Sequence, residues 1–150
     1  MESIAKELEA IISQYLSPLK SQDESRLAHK PSPSKWSKKE VIGHLIDSAQ
    51  CNIRRFIVAR YEEDPTINYN QYKWVATSGY QQWKSNELID LWHLLNRQIC
   101  EVLKNTSAET AQRQCMTEEL HTLEWLAQDY VKHLKHHLHQ VLEIEPVPYP

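Results

Sequence analysis

Glycine is nearly missing from this chain, with two in 150 residues. So little left-handed backbone argues against a fold of many tight turns, and the wealth of Leu, Ile, Lys, Glu, Gln and Ala favours helix. Cysteine is sparse too. Cys51, Cys100 and Cys115 are odd in number, widely spaced and free of any CxxC, which excludes a disulfide frame or a zinc knuckle. They read as free thiols in a reducing cytosol. An excess of positive charge is also lacking. The formal net charge of −3 leaves no electrostatic footprint for DNA or RNA. The densest basic run, "KWSKK" at 35–39, reads as a solvated helix start. No apolar run approaches membrane-spanning length, and "MESIAKELEA" carries no signal pattern. The expected setting is cytoplasmic, with no membrane and no direct nucleic-acid partner.

What is present is periodicity. With 41% apolar residues, the chain is large enough for one domain with its own core. Ile4, Leu8, Ile11, Tyr15 and Leu19 recur at three- and four-residue steps, predicting a first helix over roughly 2–20, bent or ended by Pro18. A Ser- and Pro-rich loop follows. "SKKE" is a capping box, Ser37 with Glu40, opening a second helix to about residue 62 with Val41, Leu45, Ala49, Ile53 and Phe56 on its apolar face. Residues 64–84 are aromatic and polar without steady period, long enough to hold a short helix of their own near 70–76. A third helix is expected over roughly 85–104 and a fourth from about Thr122, while the tail "EPVPYP" cannot stay helical. Four similar one-sided helices predict an all-α four-helix bundle with a long crossover between the second and third, and no internal domain boundary. That crossover permits the two to run parallel without requiring it.

Four of the eight histidines crowd into "VKHLKHHLHQ". At about 100° per residue, His133 and His137 share one flank of the fourth helix beside Leu126 and Tyr130, while His136 and His139 turn towards solvent. An i,i+4 imidazole pair can reach one cation, but two ligands make a weak site. His44, in "VIGHLIDSA", offers a third from the flank of the second helix. Gly43 beside it costs on the order of 1 kcal/mol against Ala inside a helix, so something must approach the backbone there. Three His ligands would leave a position open, as a catalytic metal needs. The competing reading is a chance pair on a solvated face.

"WSKKEVIGHLIDSAQCNIRRF" (36–56) and "YVKHLKHHLHQV" (130–141) resemble the second and last helices of the DinB-like superfamily, with its Trp-Ser start, His-Leu-x-Asp-Ser pattern and HxxxH followed by Gln. "YNQYKWVATSGYQQW" in the middle is similar to one subgroup. The resemblance spans nearly the whole chain. It implies up-down-down-up helix order and a divalent metal, nickel or zinc in many members, held by His44, His133 and His137. It also implies thiol-dependent S-transfer, isomerisation or hydrolysis, and pairing as a homodimer.

Chemically, an open position on such a metal (Zn or Ni, with Mn or Fe as alternatives) could activate water or a low-molecular-weight thiol. Imidazole ligands usually tie their second nitrogen to a carboxylate or carbonyl, and Asp47 and Asp129 are the nearest local candidates, Asp47 being preferred. Tyr69, Trp74 and Tyr80 are candidate walls of a small-molecule pocket, with Arg54 or Arg55 for an anionic co-substrate. The rival readings are a non-catalytic, stress-related metal-binding bundle and a plain helical interaction module.

Overall fold

The structure, a computed structural model, describes residues 1–149. Four long helices carry the architecture: α1 (Glu2–Lys20), α3 (Lys38–Val58), α5 (Ser85–Lys104) and α7 (Leu123–Leu142). Between them lie α2 (Glu24–Ala28), α4 (Gln71–Ser78), a 3-10 turn (Tyr80–Gln82), α6 (Ala108–Ala111) and a hairpin of β1 (Gln114–Met116) and β2 (Leu120–Thr122).

Helices α3 and α7 start for local reasons. In α3 the Ser37 hydroxyl accepts from the Glu40 amide (3.1 Å) and Glu40 accepts from the Ser37 amide (2.7 Å), so two otherwise free donors are satisfied. Thr122 caps α7 through the Trp125 amide at 3.1 Å. Pro18 stays inside the last turn of α1, which continues to Lys20. Helix α3 ends at Val58, short of the expected residue 62. Guanidinium groups explain this: Arg60 donates to the Phe56 carbonyl at 3.0 Å, and Arg113 reaches the carbonyls of Ala59 and Glu62. These carbonyls are satisfied from outside, so the chain can turn away without further helix.

Lys39 donates to the Gln81 carbonyl at 3.2 Å, and Glu24 accepts from both Lys39 and the Ser85 amide, so the starts of α3 and α5 lie side by side. At the far end Arg60 donates to the Val102 carbonyl at 2.6 Å. Helices α3 and α5 therefore run parallel, and the bundle is up-down-down-up. Helix α5 packs on α1 and α3, and α7 on the same two, so α1 and α3 face each other across the diagonal. Leu8, Leu19, Leu45, Phe56, Trp92, Ile99 and Leu134 are almost completely buried in the shared core.

The hairpin and α2 fall in stretches without helical or alternating pattern. The hairpin holds the crossover in place: Ile67 donates to the Met116 carbonyl, and Met116 to the Pro65 carbonyl, both at 3.0 Å. Among the described residues no helix is long and apolar enough to cross a membrane. All three cysteines are free and buried.

Candidate metal centre

His44 enters from α3, and His133 and His137 enter from α7. One nitrogen from each ring lies within 4.8 Å of the others. Nε2 of His44 is 3.0 Å from Nε2 of His133, and the three ring centroids are 4.5 to 5.0 Å apart. His44 is 1% exposed; the other two are half-buried. Imidazole nitrogens bound to one cation at about 2.0–2.1 Å would stand roughly 3.4 Å apart, so the cluster is close to that spacing.

Burial sets the protonation. It pushes the His44 pKa down to about 4, helped by the neighbouring His137, and the His133 pKa down to about 2, helped by the other histidines. His137 is also lowered by burial, opposed by Gln140. The rings are neutral at pH 7, each with a lone pair to offer. Nδ1 of His137 donates to Gln140 Oε1 at 2.9 Å, which leaves its Nε2 free as a ligand atom. The donor set therefore fits a divalent cation.

Asp47 is 1% exposed, one turn from His44. Its Oδ1 accepts from the Tyr80 hydroxyl, while its Oδ2 and the His44 Nδ1 are both buried without a hydrogen-bond partner among the described residues. Asp47 thus does not hold the His44 ring directly in this structure. Burial raises its pKa to about 6, the Tyr80 hydroxyl opposing the shift. Asp129 is likewise engaged elsewhere, accepting from the Tyr149 hydroxyl at 3.0 and 3.1 Å.

Tyr80 also explains Gly43. A Cβ at position 43 would lie 2.1 to 2.5 Å from the Tyr80 ring, well inside contact distance. The glycine lets the crossover lay a tyrosine on the helix backbone, with its hydroxyl on Asp47. Tyr80 is therefore a clamp on Asp47 and Gly43, and the cavity lined by Tyr69 does not include it. Tyr69 does line a cavity of about 790 Å³, together with Tyr72, Asp129 and Tyr149. Trp74 packs edge-on against Tyr69 at 5.2 Å and is itself 38% exposed. Of the two arginines, Arg55 reaches that cavity, with its guanidinium on the Ile67 carbonyl; Arg54 is exposed and lies outside the cavity wall.

Three neighbours of the centre carried little sequence signal. The Trp36 ring packs on His44 at 5.2 Å, and Gln140 holds His137; both belong to the family-like motifs but gave no reason from spacing. Tyr149 lies against His133 at 5.2 Å. It arrives there because the two remaining histidines do not turn to solvent as expected. His136 donates to the Val147 carbonyl at 2.7 Å, and His139 to the Glu145 carbonyl at 2.5 Å while accepting from Tyr15 at 2.8 Å. Both are half-buried and fold the tail back along α7.

A four-helix bundle with three neutral histidines gathered between α3 and α7 defines a class of candidate metalloproteins. The chain belongs to the DinB superfamily, whose profile it matches over residues 7–141. Among solved structures it is similar to YfiT from Bacillus subtilis, described as "a probable metal-dependent hydrolase with an unusual four-helix bundle topology". The TM-score is 0.83 at 23% identity, covering 94% of this chain and 83% of that one, a likeness that shows the shared fold. No curated protein matches the chain by sequence.

Proposed function

We propose that this protein is a metal-dependent enzyme acting on a small molecule, with His44, His133 and His137 as the ligands of one divalent cation. The observation that carries the reading is the convergence of three neutral imidazole nitrogens, one buried and two half-buried, from two helices within 4.8 Å. Imidazole suits Zn²⁺ or Ni²⁺ first, with Mn²⁺ and Fe²⁺ as further candidates. A cation held by three ligands would supply Lewis acidity at an open position, lowering the pKa of a water or a thiol there.

The chain's own groups do the rest. Gln140 fixes the His137 ring with its ligand nitrogen facing inward. Tyr80, seated on Gly43, fixes Asp47 one turn from His44, and Trp36 and Tyr149 shield the two rings from bulk water. The cavity under Tyr69, Arg55 and Tyr149 offers room for a substrate beside the centre. With water as nucleophile the reaction is hydrolysis; with a low-molecular-weight thiol it is S-transfer to an electrophile. The buried cysteines do not compete for the nucleophile's role, since burial raises all three thiols, Cys100 to about 11. A reducing, cytoplasmic setting and a homodimer complete the proposal.

Metal analysis of untagged protein tests the ligand set. One divalent ion per chain should be found, lost in His44→Ala and His137→Ala and retained in His136→Ala and His139→Ala. Equal loss from all four would refute the assignment. Turnover is then sought with the metal-loaded protein on ester and amide substrates, and with thiols against an electrophile panel. Bound metal with no turnover in either screen would favour the non-catalytic, sensing alternative.

A further inference from the structure

A second cavity, of about 580 Å³, opens on the other side of Trp36 and Gln140. Its polar wall is Arg26, His29, Lys38 and Glu143. The run "KWSKK" that reads as a solvated helix start is only partly so: Lys35 is exposed, but Ser37 and Lys39 are buried. Lys39 is 3% exposed and committed to Glu24 and the Gln81 carbonyl. Nζ of Lys38 is buried and has no hydrogen-bond partner among the described residues. The Glu143 carboxylate stands 2.9 Å from it, close enough for an ion pair but not aligned for a hydrogen bond.

Two features leave that arrangement receptive to a further anion. Lys38 is the first residue of α3, where the helix dipole disfavours a cation. Two cations, Arg26 and Lys38, share the one carboxylate of Glu143, so the fork carries surplus positive charge. That carboxylate is presented by a non-glycine residue in the left-handed region, φ 56°, at the end of α7. The cavity thus already holds a carboxylate between two cations. Its inner wall is shared with the histidines, since Trp36 packs on His44 and Gln140 holds His137.

We propose that this cavity binds the anionic head group, a carboxylate or a phosphate, of a small co-substrate of the three-histidine centre, distinct from the substrate given room in the cavity of Tyr69 and Arg55. Arg26 and Lys38 form the clamp, and Glu143 is the resident carboxylate that the ligand displaces. The link to the centre rests on the proposed function; the anion site itself does not.

The test therefore uses metal-free, full-length protein. The indole N–H of Trp36, assigned with Trp36→Phe, is followed by NMR while succinate or inorganic phosphate is added in separate titrations. Saturable shifts at Trp36 are expected with at least one of the two, and the tighter binder identifies the head group. Lys38→Met should weaken that binding about tenfold or more, and Glu143→Gln, which removes the competitor, should tighten it by a similar factor. Silence at Trp36 with both anions, a titration unchanged by Lys38→Met, or no tightening in Glu143→Gln overturns the proposal. Metal content of Lys38→Met should equal that of the unaltered protein. Absence of anion binding in the unaltered protein, with its metal content intact, therefore marks failure of this site alone, and the His44→Ala metal analysis marks failure of the centre.

Discussion

Helices α1 and α3 are nearly equal in length and lie across the bundle from each other, yet only α3 buries charged and polar residues beside its apolar ones. Inside α1 everything buried is apolar except the Tyr15 hydroxyl, which reaches His139. Inside α3, Lys39, Glu40, His44, Asp47, Ser48 and Asn52 are all buried. Polar groups taken out of water are expensive unless paired, and here His44 Nδ1 and Asp47 Oδ2 have no hydrogen-bond partner among the described residues. The difference separates scaffold from site: α1 stabilises the bundle, and α3 spends part of that stability on holding chemistry.

The sharpest way to break this comparison is to exchange the expected losses. His44→Ala should lower metal affinity by roughly a thousandfold, the share of one ligand in a tight site, measured by competition with a chelator. Leu8→Ala in α1 should instead cost about 2–5 kcal/mol in chemical denaturation while metal stoichiometry stays unchanged. If the leucine variant sheds metal, or the histidine variant keeps it, the division fails.

A smaller effect is expected at Gly43. Alanine would gain about 1 kcal/mol of helix propensity but collide with the Tyr80 ring, so Gly43→Ala should be destabilising by about 1–3 kcal/mol overall. Tyr80→Ala should remove most of that penalty in the double variant, a coupling a mutant cycle can read.

Acid should bear on α3 and α7 and spare α1. In metal-free protein His44 and His133 have folded pKa values below the unfolded value of about 6.5, so the unfolded chain binds more protons. Their contribution is fully present above about 6.5. It falls as pH drops towards about 4, by about 1.4 kcal/mol per pH unit for each proton taken up on unfolding. Asp47, raised to about 6, works the other way: its contribution is present at low pH and lost as pH rises through about 6. Asp47→Asn should therefore steepen the acid-side fall, as urea denaturation between pH 6.5 and 4 can show. The smallest change is expected from Ser37→Ala, about 1 kcal/mol from the lost cap of α3.

Much of this division was legible before any coordinates. The four long helices follow from period and capping chemistry, since Ser37, Glu40 and Thr122 act locally. His133 and His137 follow from the geometry of one helix. His44 was a candidate from its helix flank and the neighbouring Gly43, and the family-like motif strengthened its link to the pair, because no spacing rule joins positions so far apart in sequence. The hairpin at 114–122 and α2 were not legible; their reason for being is tertiary, pinning the crossover and closing the end of the bundle. The choice between Arg54 and Arg55 depends on about 100° of helix rotation, and the aromatic crossover gave no frame in which to decide it. Asp47 was placed correctly on the helix, but its partner, Tyr80, comes from a segment without periodicity.

The folded-back tail changes how the histidine-rich helix should be probed. Because His136 and His139 tether Glu145 and Val147, replacing either loosens the segment that lays Tyr149 on His133. Such variants are expected to hold the same amount of ion at equilibrium yet surrender it faster to a chelator. Dissociation kinetics would thus separate the two jobs within a single turn-and-a-half of helix, ligation and latching, which a measurement of occupancy alone would merge.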